Sequence, residues 1–592
     1  MKNMTKSRAR GIRAGLLTAV LGAGCLLLAG GAALAAGPAK DGAKHNAHQM
    51  VWPGGPALKQ RLALGKKIYA DQCLPCHSIG GEDNDIRTVT AHVATVGMEA
   101  YLTGQGRLFD HMPLFVGTPK DRRALAEYVT IVINRRKPDD MSMVPVKPLA
   151  HTVPPFDAAT AKYVLLAWNT LGMKCITDAD PFFSFLPPGN AFNAVLIKRG
   201  PKPMLITEGA ELSYEVQDGF KNPSAHVDFW KYAPSLLGKE LPRNTSATGK
   251  SLAGSLAYNE KTKLYEAAGI PITPFSDDGS INPYPLFTIS AKDKATGAVL
   301  IETKLVAPVG SEMGCRNCHG GPWRKNGVSG ISAETAKNIL AVHDKRNGTT
   351  LLAQAEQGKP ALCQSCHPDP LLNAPGDPKR LNLPAAIHGF HANYLSGRGE
   401  DTCSRCHPDS PTGLTRCLRD NHQAYKIGCS RCHGLLEEHT MSLLKGELAQ
   451  GKTRAASFME HLKPSMVASV DAIKPRSPWV QEPDCSGCHK DGKKPDRKTS
   501  MAFNAWVDGP GKLYRSQKDA MGSMPCIGCH GAPHSTYAAK SDYGKDRDNI
   551  QPMQYMGQAA SLGARGQCVT CHTQGMQLDK HHRVPVMKIP VK

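Results

Sequence analysis

The apolar positions of this chain change their period along its length. From Ala14 to about Leu34 they run almost unbroken. Between Leu58 and Gln72 they recur at helical spacing, and they do so again from Asp121 to Asn134, where Leu125, Tyr128 and Ile131 fall three apart. A run from Ala159 to Gly172 also reads as a helix. Beyond it the period shortens to two, as Leu212, Tyr214 and Val216 alternate with polar residues. Two hairpins are predicted there. One pairs Leu256–Tyr258 with Leu264–Tyr265 around residues 259–262, and the other pairs Leu286–Ile289 with Ala298–Val306 around residues 292–297. A small β-sandwich or barrel follows for residues 159–310. Past residue 310 no period persists, and short helices joined by loops rich in Gly and Pro are expected.

What recurs in that last region is a motif. Cys-x-x-Cys-His stands at Cys73, Cys76 and His77, and then seven more times: Cys315, Cys318 and His319; Cys363, Cys366 and His367; Cys403, Cys406 and His407; Cys429, Cys432 and His433; Cys485, Cys488 and His489; Cys526, Cys529 and His530; Cys568, Cys571 and His572. This is the attachment signature of haem c, in which two thiols form thioethers and the adjacent His ligates iron. Zinc sites and disulfides also use paired cysteines, but neither requires a His directly after the second. Eight covalent haems are therefore expected. Cys175 and Cys417 stand outside the motifs, either as a disulfide or as buried thiols. Cys417 also opens a stretch ending at His422 that lacks a second cysteine, so it is not counted as a ninth motif.

The N-terminus agrees with this chemistry. Lys2, Lys6, Arg8, Arg10 and Arg13 precede the apolar run, and Ala33-Leu34-Ala35 offers a cleavage site, so residues 1–35 read as a signal peptide. Cys25 is preceded by Gly22-Ala23-Gly24, a poor lipid-attachment signal. A mature protein starting near Ala36 is expected, exported to the periplasm, with the cell surface as the alternative. No later stretch is long and apolar enough for a membrane helix. The formal charge of +21 falls to +16 without the signal, and haem propionates would offset much of that. Acidic redox partners remain compatible with this balance, whereas nucleic acid is not implied.

Residues 56–137 resemble a class I cytochrome c. Gly65 and Tyr69 occupy positions like those of that family's first helix, CLPCH follows, and Met112-Pro113 comes thirty-five residues after His77. The resemblance implies that Met112 binds iron opposite His77 and that the closing helix crosses the first. His111 or His92 would be the alternative ligand. Residues 311–592 resemble the broad class of multihaem cytochromes of respiratory bacteria, with seven motifs in 282 residues. At that density porphyrin faces, in a stack, would supply much of the interior. The organisation expected is thus multidomain: signal 1–35, linker 36–55, an α-helical one-haem domain 56–137, a Pro-rich linker 138–158, a haem-free β-rich domain 159–310 and a loop-rich, short-helix heptahaem domain 311–592.

Distal ligands for that last domain would come from His343, His388, His391, His422, His439, His461, His534, His581 and His582. His439 and His534 lie six and four residues after a motif His, too near to fold back over their own iron, so both are expected to reach a neighbouring haem. His388 and His391 share a helical face. Doubly ligated irons exchange electrons and exclude small molecules, which makes an electron conduit between redox partner proteins the leading reading. The alternatives are an octahaem oxidoreductase of small nitrogen or sulfur compounds, with one open iron, and an outer-surface cytochrome serving extracellular acceptors or donors. The role of the β-rich region, docking module or wall beside the haems, is open at this level.

Overall fold

Helix α1 (Pro56–Gln72) and helix α3 (Pro119–Glu127) cross at Gly65, with helix α2 (Thr95–Leu108) packed beside them. A Cβ on Gly65 would lie 2.1 Å from the Ala124 carbonyl oxygen, so only glycine permits the approach. One turn on, the rings of Tyr69 and Tyr128 meet at 5.8 Å. Helix α3 starts where Thr118 and Asp121 satisfy each other's orphan donors in a capping box, with Pro119 in the first turn. It continues as a π-helical turn over Tyr128–Ile133. The computed structural model describes residues 56–108, 111–136, 150–325, 327–370, 372–409, 413–490, 495–508, 512–515, 524–540 and 547–574. The expected signal peptide, Cys25, the linker 36–55, most of the Pro-rich connector, His581 and His582 lie outside these residues.

Eight strands build the middle of the chain: β1 (Tyr163–Asn169), β2 (Asn190–Lys198), β3 (Met204–Ile206), β4 (Ala210–Val216), β5 (Ala253–Asn259), β6 (Leu264–Ile270), β7 (Leu286–Asp293) and β8 (Val299–Val306). They form one antiparallel sheet in the order β1-β2-β6-β5-β4-β7-β8, with the short β3 on β2. The sheet curls until β8 lies beside β1, which nearly closes a barrel. Both expected hairpins are present, as β5–β6 and β7–β8.

The helix expected over Ala159–Gly172 is instead strand β1. Leu165 and Ala167 point into the barrel core beside Phe192, Tyr214 and Phe287. Val164, Leu166 and Trp168 point outwards, against Met524, Ile527 and Tyr555. A strand covered on both faces loses its alternation and cannot be told from a helix by period alone.

The remaining described residues are mostly short helices and loops around the motifs, as expected, with small two-stranded sheets pairing Trp323–Lys325 with Ser329–Ile331 and Gln481–Pro483 with Trp506–Asp508. Three longer helices support them: α4 (Ala333–Asn347), α5 (Leu383–Leu395) and α6 (Leu436–Ala449), the last two packed on each other around Leu443, Leu444 and Ala385. A seven-residue helix, α7 (Ile550–Met556), lies along the barrel seam. There Gln551 accepts from the Ala167 N–H at 3.1 Å and donates to the Ala167 and Lys304 carbonyls. Tyr555 accepts from the Leu165 N–H and donates to its carbonyl at 2.6 Å, and Gln554 donates to the Glu302 carbonyl at 2.8 Å. These side chains occupy edge groups that a closed barrel would pair strand to strand. The β-rich region is thus a wall built into the motif-bearing part of the chain.

Candidate functional site

Every motif is a single helical or 3₁₀ turn. In each, the backbone N–H of the His reaches the carbonyl of the first Cys four residues back, for example 2.8 Å from His77 to Cys73 and 2.9 Å from His407 to Cys403. That turn sets two thiols three apart on one face with the imidazole next to them, the arrangement that thioether attachment and axial ligation need.

The motifs are also neighbours. The thiols of Cys403 and Cys429 meet, as do those of Cys485 and Cys526. Gly314 donates to the Cys406 carbonyl at 3.0 Å, which joins the motif at Cys315 to the one at Cys403. Cys315 and Cys363 border the same apolar cluster. The last motif is clamped to the wall: Arg199, at the end of β2, donates to the carbonyls of Val569 at 2.7 Å and Thr570 at 2.9 Å. His572 and Gly200 form a parallel bridge.

Four motif imidazoles each face an imidazole from elsewhere in the chain. Ring centroids are 6.4 Å apart for His319 and His391, 6.2 Å for His407 and His388, 6.0 Å for His433 and His534, and 6.3 Å for His489 and His422. A metal–imidazole bond is about 2.0–2.1 Å, so two rings on opposite sides of one metal would have centroids about 6.3 Å apart. The observed spacing fits an iron between each pair. His343 stands near His367: burial, and secondarily His367, hold His343 below its usual value. His388 and His391, on one face of α5, address two different motifs.

The outer nitrogens agree with this arrangement. Nδ1 of His77 lies 3.1 Å from the Asn84 carbonyl, that of His319 2.8 Å from Asn338 Oδ1, that of His367 2.9 Å from the Leu381 carbonyl and that of His530 2.9 Å from Ser561 Oγ. On the partner side, Nδ1 of His388 and of His391 bonds the carbonyls of Pro384 and Ile387. Donating Nδ1–H leaves Nε2 as the lone pair for a metal. Burial pushes His319, His388 and His534 down to about 4 and holds His391, His407 and His433 below the usual value, so these imidazoles are neutral near pH 7. His422 moves the other way, because Asp420 Oδ2 lies 2.6 Å from its Nδ1.

Two of the expected ligands, His439 and His461, stand outside these pairs, and the two spare cysteines are thiols. His439 was expected to reach beyond its own motif, yet it lies 6.1 Å from His433 and packs edge-on against His388 at 4.6 Å. The turn at Gly434 and the start of α6 carry it back over the motif. Its Nδ1 lies 3.5 Å from Arg476 Nη1, a donor that cannot accept. His461 is exposed. Cys175 and Cys417 are both free and border one apolar cluster, with Cys417 Sγ 3.7 Å from His534 Nδ1. The stretch from Cys417 to His422, not counted as a motif, thus touches one facing imidazole and supplies another.

The region around the first motif meets the others through α2. A Cβ on Gly97 would lie 2.2 Å from the Asn317 carbonyl, inside the motif at Cys315, and one on Gly104 would lie 2.3 Å from the Tyr394 ring on α5. Glu99 binds Arg123 on α3 at 2.6 Å and Arg398 beyond α5 at 3.1 Å. His92 is taken up by Tyr101 at 3.5 Å and packs against Gly320, and His111 is exposed. Met112 is half-buried, in a loop held by Gln105 on Pro113 and by Gln72 on Val116 at 2.7 Å. Asn84, Asn338, Ser561 and Asp420 were not legible as site residues. Of these only Asp420, two residues before a His, carried a sequence signal.

Residues 398–583 match the family model of outer membrane cytochromes, MtrC/MtrF-like, domains II/IV. No curated protein and no solved structure matches the chain. Together with the repeated motifs, this match supports a multihaem c-type cytochrome.

Proposed function

We propose that this protein carries electrons at the outer surface of the cell, as an octahaem cytochrome linking respiratory redox partners to an extracellular acceptor or donor. The carrying observation is the set of four imidazole pairs at 6.0–6.4 Å. Two histidines per iron leave no position for a substrate, which favours a conduit over an enzyme with an open site. The match to outer membrane cytochromes favours the cell surface over the periplasm as the place of work. Haem c, attached at the motifs, supplies one-electron exchange, and the chain's residues fix the order and environment of the centres.

In this reading His319 pairs with His391, His367 with His343, His407 with His388, His433 with His534 and His489 with His422. His534 is preferred to His439 for His433, because Arg476 at Nδ1 of His439 places that ring's own proton on Nε2. His77 pairs with Met112 in a class I cytochrome c-like domain, since His92 and His111 are placed elsewhere. A thioether favours ferrous iron more than a second imidazole does, so this end sits at higher potential. Helix α2 brings that domain onto the motif at Cys315, which makes it the terminus of the array. The β-rich region is the wall that holds the motifs at Cys526 and Cys568.

The test has two parts. Purified holoprotein should be low-spin throughout and unchanged by carbon monoxide; uptake by one haem would instead indicate an open iron and an enzyme. Labelling intact cells with an impermeant reagent should modify the protein, and protection until the outer membrane is broken would return it to the periplasm.

A further inference from the structure

Of the facing imidazoles His343, His388, His391, His422 and His534, four have neutral neighbours on Nδ1. These are the Thr349 hydroxyl, the Pro384 and Ile387 carbonyls and the Cys417 thiol. His422 differs. Its Nδ1 lies 2.6 Å from Asp420 Oδ2, and Asp420 is itself 4% exposed. The carboxylate is held in place from several sides. Its Oδ1 accepts from the His422 backbone N–H at 2.9 Å, and its Oδ2 accepts from Thr536 Oγ1 at 3.2 Å. The backbone on either side is stapled to the segment after the motif at Cys526: Arg419 donates to the His534 carbonyl at 2.8 Å and Asn421 to the Thr536 carbonyl at 3.1 Å. Arg419 is anchored in turn by a bidentate ion pair with Asp548, both fully buried. Asp420 therefore cannot swing away from the ring.

We propose that Asp420 is a potential-setting residue: its bond to Nδ1 of His422 lowers the reduction potential of the His489/His422 centre. A carboxylate drawing on Nδ1–H gives the ring anionic character and makes Nε2 a stronger donor, which stabilises ferric over ferrous iron. The inference rests on the pairing of His422 with His489 proposed above. The position gives it a consequence. The motif at Cys485 adjoins the one at Cys526 through touching thiols and neighbours the one at Cys429 through Cys432 and Cys488. A low-potential centre there divides the array, so an added electron rests on one side or the other and crosses only transiently.

The experiment is a spectroscopic redox titration of full-length holoprotein carrying Asp420→Asn, with low-spin signals followed by electron paramagnetic resonance. One wave should move to higher potential with the number of low-spin haems unchanged, and Asp420→Glu should move it back. Thr536→Val, which removes a competing hydrogen bond to the carboxylate at 3.2 Å together with a longer 3.5 Å contact to Nδ1 of the ring, should move the same wave down. His422→Ala separates the two ideas. If it leaves every low-spin signal in place, the pairing itself is wrong. If it removes one signal while Asp420→Asn and Thr536→Val leave all waves superimposable on the parent, the pairing stands and the role of Asp420 is overturned. Should Asp420→Asn lose a low-spin haem by releasing the ring, Thr536→Val decides alone: a downward shift supports the proposal and an unmoved wave refutes it.

Discussion

The imidazoles of His388 and His407 lie 6.2 Å apart with their planes within 18° of parallel. One comes from the middle of helix α5 and the other from a motif turn in the loop beyond it. A separation of about 6.3 Å between ring centroids is what a shared iron requires. His388→Ala should therefore convert one haem from low-spin to high-spin and make it bind carbon monoxide, with the others unchanged. A visible spectrum with and without the gas checks this. His439→Ala, made in parallel, should leave all haems low-spin, since Arg476 beside Nδ1 of His439 puts that ring's proton on Nε2.

Met112 is held by the loop that Gln72 and Gln105 pin to α1 and α2. Met112→His should abolish the weak red absorption band of methionine-ligated ferric haem and lower the potential of one haem, because imidazole stabilises ferric iron better than a thioether. Redox titration of the variant gives the answer. A band that persists would remove Met112 from the iron.

Glycine at position 97 is dictated by its neighbour. Any side chain there would meet the Asn317 carbonyl at 2.2 Å and the Cys318 Cα at 2.9 Å. Gly97→Val should lower stability by about 1–3 kcal/mol through overpacking. It should also slow electron exchange between the first haem and the rest, as stopped-flow reduction would record. The same substitution at Gly397, where nothing crowds the added Cβ but φ is +72°, should act on the backbone alone and spare that exchange.

Gln551 matters for the barrel rather than for any haem. Gln551→Leu would leave the Ala167 N–H and carbonyl at the seam without partners, at about 1–3 kcal/mol for each buried polar group orphaned. Denaturant unfolding should show the loss while the haem spectrum is retained.

Asp180, buried beside the apolar cluster that borders Cys315 and Cys363, titrates near 7 instead of its usual 3.8, chiefly through burial and secondarily through Asp178. The unfolded chain releases this proton first, so the folded state binds more protons between about pH 4 and pH 7 and stability falls as pH rises through that window. Asp180→Asn should flatten that part of the stability profile. An unchanged slope from pH 4 to 7 would mean the carboxyl is ionised in the folded protein.

The sequence by itself determined the chemistry and its local geometry. Cys-x-x-Cys-His is complete within one turn, because thiols three apart and a His four after the first Cys need only local hydrogen bonds to converge. Hairpins such as β7–β8 were legible for the same reason: register and turn lie within a few residues. Tertiary structure alone decided which His faces which. The short gap after His530 pointed His534 towards some neighbouring motif, but nothing local named His433 as that neighbour or left His461 exposed, because a ligand's partner is set by how distant segments pack. It also decided that residues 163–169 are a strand, since their second covered face comes from Met524, Ile527 and Tyr555, several hundred residues away. The carbonyls that hold Nδ1 carry no side-chain signal at all, and the role proposed for Asp420 depends on His422 being brought opposite His489.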